Sequence, residues 1–297
     1  MITPNHDRVA AVRTQRPISQ RPPRTAANKL RRFAASAVWW VLSVGMVAAF
    51  WEGLAALQLI NTIILPPPHV FLGEIQHQAQ FLLPQFGAQR VGANFVALTA
   101  IVASLRRVLG GLALAFVIAL CTGSLAFYLG VFRKLSFPTI RLLAPIAPVA
   151  WIPFALVAFG IGDVTAIFVV FVGIVFTLTL ATVNNMNNVD QVYINTARVL
   201  GASRGQVMWY VILPAILPNL FVIMRMNLFG AWTGVLVAEM VGVNTGLGTM
   251  VMVGQQMMNI NLMFIGMAII GLVGYLLDVG FAVFQRRILW WRSAAQL

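Results

Sequence analysis

Residues 108–132 run from Arg107 to Arg133 without one charged side chain, and residues 164–189 do the same between Asp163 and Asp190. A helix needs about 20 mostly apolar residues to cross a hydrocarbon core of roughly 30 Å. Further charge-free stretches cover 33–51, 142–162, 205–224 (continuing past Arg225 to Glu239) and 240–277. Asn244, Gly246, Gly248, Gln255, Gln256, Asn259 and Asn261 make the first half of that last stretch too polar for a span. The expectation is an all-α membrane protein with six transmembrane helices, near 34–57, 109–130, 139–160, 164–186, 216–241 and 261–284. Composition agrees: 60% of the chain is hydrophobic and 9% charged, where a soluble domain carries roughly 45–50% and about 25%.

The Lys/Arg bias of the loops sets the orientation. With the N-terminus inside, the inner face holds Arg8, Arg13, Arg16, Arg21, Arg24, Lys29, Arg31 and Arg32 of the tail. It also holds Arg133, Lys134, Arg141, Arg198, Arg204, Arg286, Arg287 and Arg292. These make up sixteen of the 20 basic residues, with Arg90, Arg106 and Arg107 outside and Arg225 within a span. Both termini are therefore expected in the cytoplasm of a multi-pass protein of the bacterial inner (plasma) membrane. The basic excess follows from this topology, and no nucleic-acid partner is expected. Residues 1–33 read as a basic disordered tail, 34–292 as the membrane domain and 293–297 as a C-terminal tail. The paired arginines at 31–32 precede an apolar run too long for a cleaved signal, so the first span reads as a retained anchor. Residues 94–107 read as an amphipathic stretch at the outer interface.

Most chemistry is absent. There is no GxxxxGK[ST] loop, because the only lysines, Lys29 and Lys134, do not follow a glycine. No HExxH or CxxC is present, the one cysteine is Cys121, and His6, His69 and His77 lie in a tail and a loop. No metal site and no catalytic residue are expected. Gly201-Ala202-Ser203-Arg204-Gly205 spells GxSxG, but a helix precedes it and no histidine follows, so it reads as chance.

The most informative segment is the loop at 188–214. Asp190 is placed to cap a short helix that Gly201 stops, and a second helix begins at Ser203 and runs into Pro214 and Pro218. Such an elbow offers a short rigid helix to a groove on another protein. The segment resembles the "EAA" loop of ATP-binding-cassette importer permeases, E-A-A-x3-G-x9-I-x-L-P. Asn195-Thr196-Ala197 stands at the triplet, Gly201 at the glycine, Val211 at the isoleucine and Leu213-Pro214 at the end. Asn195 replaces the glutamate, Thr196 the first alanine and Val211 the isoleucine, so any salt bridge made by that carboxylate is lost. "LPPPHV" (65–70), "SLRRVLGG" (104–111), "APVAWIPFALVAFGIGD" (147–163), "MRMNLFGAWTGVLVAEMVG" (224–242) and "GLVGYLLD" (271–278) extend the likeness. Together they resemble the nitrate/sulfonate/taurine branch of the binding-protein-dependent transport inner-membrane component family.

The resemblance implies a type I ABC importer permease with a cytoplasmic coupling helix, forming a homodimer with a second permease copy. Two cytoplasmic ATPase subunits would dock through Asn195, Thr196, Ala197, Gly201, Ala202, Ser203, Arg204, Leu213 and Pro214. An external or periplasmic substrate-binding protein would deliver a small anion such as nitrate, a sulfonate or taurine, bicarbonate or an aromatic carboxylate. ATP and Mg would belong to the partner ATPase, leaving this chain without a cofactor and non-catalytic. An ion-coupled secondary transporter is the alternative, though no internal repeat or mid-depth carboxylate pair supports it.

Charges within spans are functional candidates by default. Arg225 and Asp278 fall at similar depth on helices of opposite direction, so they form either a structural pair or, with Arg225, part of an anion path. Glu52, Arg106, Arg107 and Glu239 share a level near the outer surface, where snorkelling accounts for the basic pair. Glu239 is a candidate at the path's mouth. Trp151, between Pro148 and Pro153, and Trp232 are candidates for the path's lining, with core packing as the competing role. Residues 255–258 read as a short outer gate-like helix.

Overall fold

The computed structural model describes residues 26–59, 61–62, 64–74 and 93–290. The basic tail up to residue 25, Arg90 and the C-terminal tail lie outside the described residues. The chain divides into two units, Met1–Leu57 and Gln58–Leu297. In the first, α1 covers Ala26–Ala56. This corrects the tail boundary at residue 33: Ala, Leu, Lys and Arg at 26–32 are good helix formers and carry the helix back into the basic segment. Its apolar part is Val41–Ala56.

The described residues of the second unit form helices joined by turns, with no strand among them. α2 (Pro68–Gly73) starts with Pro68 in the first turn, where its missing N–H would be unpaired anyway. α3 is Ala93–Tyr128, α4 Gly130–Leu143, α5 Ile152–Phe159, α6 Asp163–Asn187, α7 Gln191–Val199, α8 Arg204–Val207, α9 Leu213–Gly242, α10 Leu247–Gln256 and α11 Ile260–Ile288. A 3₁₀ turn, Pro148–Trp151, precedes α5, and a π-turn, Met208–Ile212, joins α8 to α9. Four stretches among the described residues are long and apolar enough to cross a membrane: Leu98–Tyr128, Asp163–Asn187, Arg204–Gly242 and Ile260–Ile288. A bent pair makes a fifth.

α6 is the central helix, packed between α3 and α9. Half of its most apolar window (50%) is buried inside the protein, against 28% for α11. The α3 seam is lined with small residues: Ala115, Ala119 and Ala126 are at most 1% exposed. A Cβ at Gly111 would lie 2.6 Å from Val170, and one at Gly123 would lie 2.6 Å from Thr182. Lipid gives helices no hydrophobic reason to associate, so close backbone approach through small side chains supplies the contact. Thr122 and Thr179 add a hydroxyl contact of 3.2 Å across the same seam.

Three expectations are corrected. The span placed at 139–160 is broken: α4 and the segment Pro148–Phe159 meet at 100°. Pro145 and Pro148 lack the donors a continuous helix would need, and Ala147, before Pro148, is extended with ψ 143°. The Pro148 ring sits where a Cβ on Gly173 would be, 2.6 Å away, so α6 is shaped around the break. The amphipathic stretch at 94–107 is not a separate interfacial helix but the first turns of α3. The short helix read at 255–258 lies at Leu247–Gln256 instead, with Leu247, Gly248, Met250 and Val253 buried.

Candidate functional site

The loop between α6 and α9 is built from local rules. Asp190 accepts the Val192 N–H at 2.9 Å and opens α7. α7 closes on Gly201, whose φ of +82° is a left-handed conformation. Its N–H donates to the Arg198 carbonyl at 2.9 Å, and the Ala202 N–H reaches the Ala197 carbonyl at 3.0 Å. These two bonds are the Schellman pair, which favours glycine at the left-handed position. Ser203 then opens α8 with a reciprocal capping box: Gln206 N–H donates to Ser203 Oγ at 3.3 Å, and Ser203 N–H donates to Gln206 Oε1 at 2.8 Å. The π-turn follows, where a wider turn relieves the clash that the Pro214 ring would make with the carbonyl four residues earlier.

Ile194, Val207, Met208 and Ile212 anchor this elbow in the core, each at most 6% exposed. Asn195, Thr196, Gly201, Ser203, Arg204 and Pro214 are exposed, while Ala197, Ala202 and Leu213 are half-buried. Six of these nine motif residues are therefore exposed. Beside them Val192, Val199 and Leu200 are 64%, 86% and 81% exposed, more apolar surface than a solvated connector would show. Between the elbow and the end of α3 lies a notch of about 570 Å³ lined by Phe127, Tyr128, Ile194, Arg198, Arg204 and Val207 among others.

Arg225 and Asp278 form the pair: Nε donates to Oδ1 at 2.8 Å and Nη2 to Oδ2 at 2.7 Å, a two-bond fork joining α9 to α11. Asp278→Asn should cost about 1–3 kcal/mol, because the amide offers the guanidinium only one acceptor. Thermal unfolding of the purified chain checks this. Unchanged stability with altered transport would instead place Arg225 on the path.

At the opposite end of the bundle is a polar clamp that the sequence reading missed. Arg107, 1% exposed, is bound on every side. Its Nη2 lies 2.6 Å from Asp163 and its Nη1 2.6 Å from Glu239. It also donates to the Thr245 carbonyl at 2.6 Å and to Thr245 Oγ1 at 2.8 Å. Arg106 pairs with the outer oxygen of Asp163. Glu239 takes bonds from Ser104 Oγ at 2.7 Å and from Gly248 N–H at 3.0 Å, and Ser104 accepts the Leu247 N–H at 3.1 Å. The start of α10 is thus tied to α3, α6 and α9. The snorkelling reading is corrected for Arg107: carboxylates on neighbouring helices, not interfacial water, satisfy it. The available signal was two arginines and two carboxylates at one depth.

Two of the path candidates are enclosed within the protomer. Glu239 and Trp232 are 1% and 4% exposed. Trp232 packs against Gly274 of α11, where a Cβ would lie 2.9 Å from its indole nitrogen. Trp151 is half-buried and edge-on to Phe154, with centroids 6.1 Å apart. Its indole N–H is buried without a hydrogen-bond partner among the described residues. It lies next to the open apolar side of α5, where Phe154 and Val157 are 57% and 90% exposed.

Residues 111–290 match the family described as binding-protein-dependent transport system inner membrane component. The taurine transport system permease protein TauC of Escherichia coli K12 is 31% identical over 261 residues, covering 86% of this chain and 91% of that one. The bicarbonate transport system permease protein CmpB of Synechocystis is 30% identical over 278 residues, covering 91% and 97%. Among solved structures, the inward-facing MetNI methionine ABC transporter matches with a TM-score of 0.54 at 22% identity, over 65% of this chain and 96% of that one. That likeness concerns the fold. The relatives displace the secondary-transporter reading. The chain belongs to the binding-protein-dependent transport system inner membrane component family, as a non-catalytic membrane permease subunit of an ABC importer.

Proposed function

We propose that two copies of this chain form the translocation path of an importer for a small anion, in the class that spans taurine and bicarbonate. Two ATPase subunits bind the elbow at 190–213 from the cytoplasm and hydrolyse ATP with Mg, and an external binding protein delivers the substrate. Both termini lie in the cytoplasm of the inner membrane. The observation that carries this reading is the elbow: capped at Asp190 and Ser203, turned at Gly201, and open in Val192, Val199 and Leu200. A helix held this rigidly loses little entropy on docking. The open apolar face beside Trp151 supports a second copy as its cover, because irregular backbone at membrane depth needs protein or a cavity beside it.

The test is recovery of the tagged chain from its native membrane in mild detergent, with quantification of co-purifying P-loop ATPase. The wild type is expected to retain about one ATPase per permease. Gly201→Val forces a β-branched residue into a left-handed conformation at a cost of about 1–2 kcal/mol, and should lose most of the ATPase. Gly201→Asn, which tolerates that conformation, should keep it. A wild-type chain that purifies alone and moves solute without ATP would overturn the reading.

A further inference from the structure

The notch beside the elbow has a charge that no carboxylate among the described residues answers. Arg198 ends α7 and Arg204 begins α8, and both line the cavity of about 570 Å³. Its floor is apolar, from Phe127, Ile194, Val207 and Ile212. Neither guanidinium has a carboxylate partner among the described residues. The only acid between residues 188 and 214 is Asp190, at the far end of α7, where it caps the Val192 N–H at 2.9 Å. Asn195 brings no charge to the exposed tip. Tyr128 holds the notch in shape by donating to the Arg204 backbone carbonyl at 2.8 Å, a bond that leaves the guanidinium free. Arg133, Lys134 and Arg141 of α4 belong to the same inner surface in the proposed topology and add to its positive field.

We infer that the notch receives an acidic side chain, aspartate or glutamate, from the partner ATPase, held between Arg198 and Arg204 when the elbow docks. This rests on the docking reading above and deepens it by naming the partner's chemistry. Two planar guanidinium groups lining one cavity match a carboxylate, which takes paired N–H bonds from such a group. A cavity of this size admits the acidic residue together with its neighbouring backbone. Once the ATPase covers the notch, its apolar floor excludes water and strengthens the contact. With no carboxylate of its own at the tip, this surface attracts an acidic partner and repels a basic one.

The experiment uses the intact complex. Arg198→Lys and Arg204→Lys keep the charge and supply an amine that a carbodiimide joins directly to a touching carboxylate. Mass spectrometry should then find the new lysine linked to an Asp or Glu of the ATPase. Arg198→Gln with Arg204→Gln should weaken ATPase retention at least tenfold and flatten its dependence on salt. Unfolding of the variant permease alone should not change, since both side chains are exposed and the Tyr128 bond goes to backbone. If the ATPase stays bound in a Gly201-dependent manner, yet the glutamine pair binds it as tightly and no cross-link forms, the notch proposal fails and docking stands. If the glutamine pair keeps its ATPase but loses sensitivity of ATP hydrolysis to excess taurine or bicarbonate, the notch is a site for a free anion and the proposal is equally overturned. A wild type that carries no ATPase defeats both.

Discussion

Arg107→Leu is expected to lower the stability of the folded permease by about 3–5 kcal/mol, the range for removing one partner of a buried ion pair. The loss comes less from the missing attraction than from what stays behind. Glu239 is 0% exposed at its side chain, and without Arg107 it must either hold a buried charge with no cation to meet it or take up a proton, and both are costly. Asp163 and Thr245 would lose their Arg107 bonds as well. Glu239→Gln should be milder, at about 1–3 kcal/mol. The amide group can stand at either oxygen position, but one faces the Arg107 guanidinium and the other the Gly248 N–H. Either choice creates one donor–donor conflict and keeps the remaining bonds. Thermal unfolding in detergent should therefore rank the wild type above Glu239→Gln and both above Arg107→Leu. Equal midpoints for Arg107→Leu and the wild type would mean that the clamp does not hold the bundle.

A second large effect is expected from one methyl group. At Gly248 a Cβ would collide with the carbonyl oxygen of Leu236 and lie 2.9 Å from Glu239 Cβ. A backbone carbonyl inside a helix cannot rotate aside, so Gly248→Ala must push α10 away from α9. That movement strains the Gly248 and Leu247 N–H bonds to Glu239 and Ser104. Overpacking typically costs about 1–3 kcal/mol, and each strained buried bond adds to it. Gly205→Ala is the matched control, because a Cβ there meets nothing within 4 Å. The pair should separate clearly in unfolding midpoint and in protease cleavage of the 243–258 region. A Gly248→Ala chain as stable as Gly205→Ala would show that α10 is not clamped to α9.

The elbow shows how far local signals carry. Asp190, Gly201 and Ser203 each act on backbone groups within about five residues, so their roles were visible in the sequence and the structure bears them out. The Arg225–Asp278 pair, one of two readings left open, was legible from matched depth on opposed helices. Arg107 was not. Its partners lie 56 and 132 residues away, and no pattern within one helix says which neighbour it will face. The broken third span belongs with it. The prolines announced a disturbance, but whether they would kink a helix or turn it through 100° depended on Gly173 making room for Pro148.

Lipid embedding, the run of the long helices and the form of the coupling elbow were thus determined by the sequence alone. They depend on apolar length, loop charge and caps, which act between near neighbours in the chain. Tertiary structure alone decided that α3 seats on α6 through small residues, that Trp232 and Glu239 lie inside the protomer, and that α10 is held by a buried arginine. These features come from side chains distant in sequence, and their energies exist only once the helices have met.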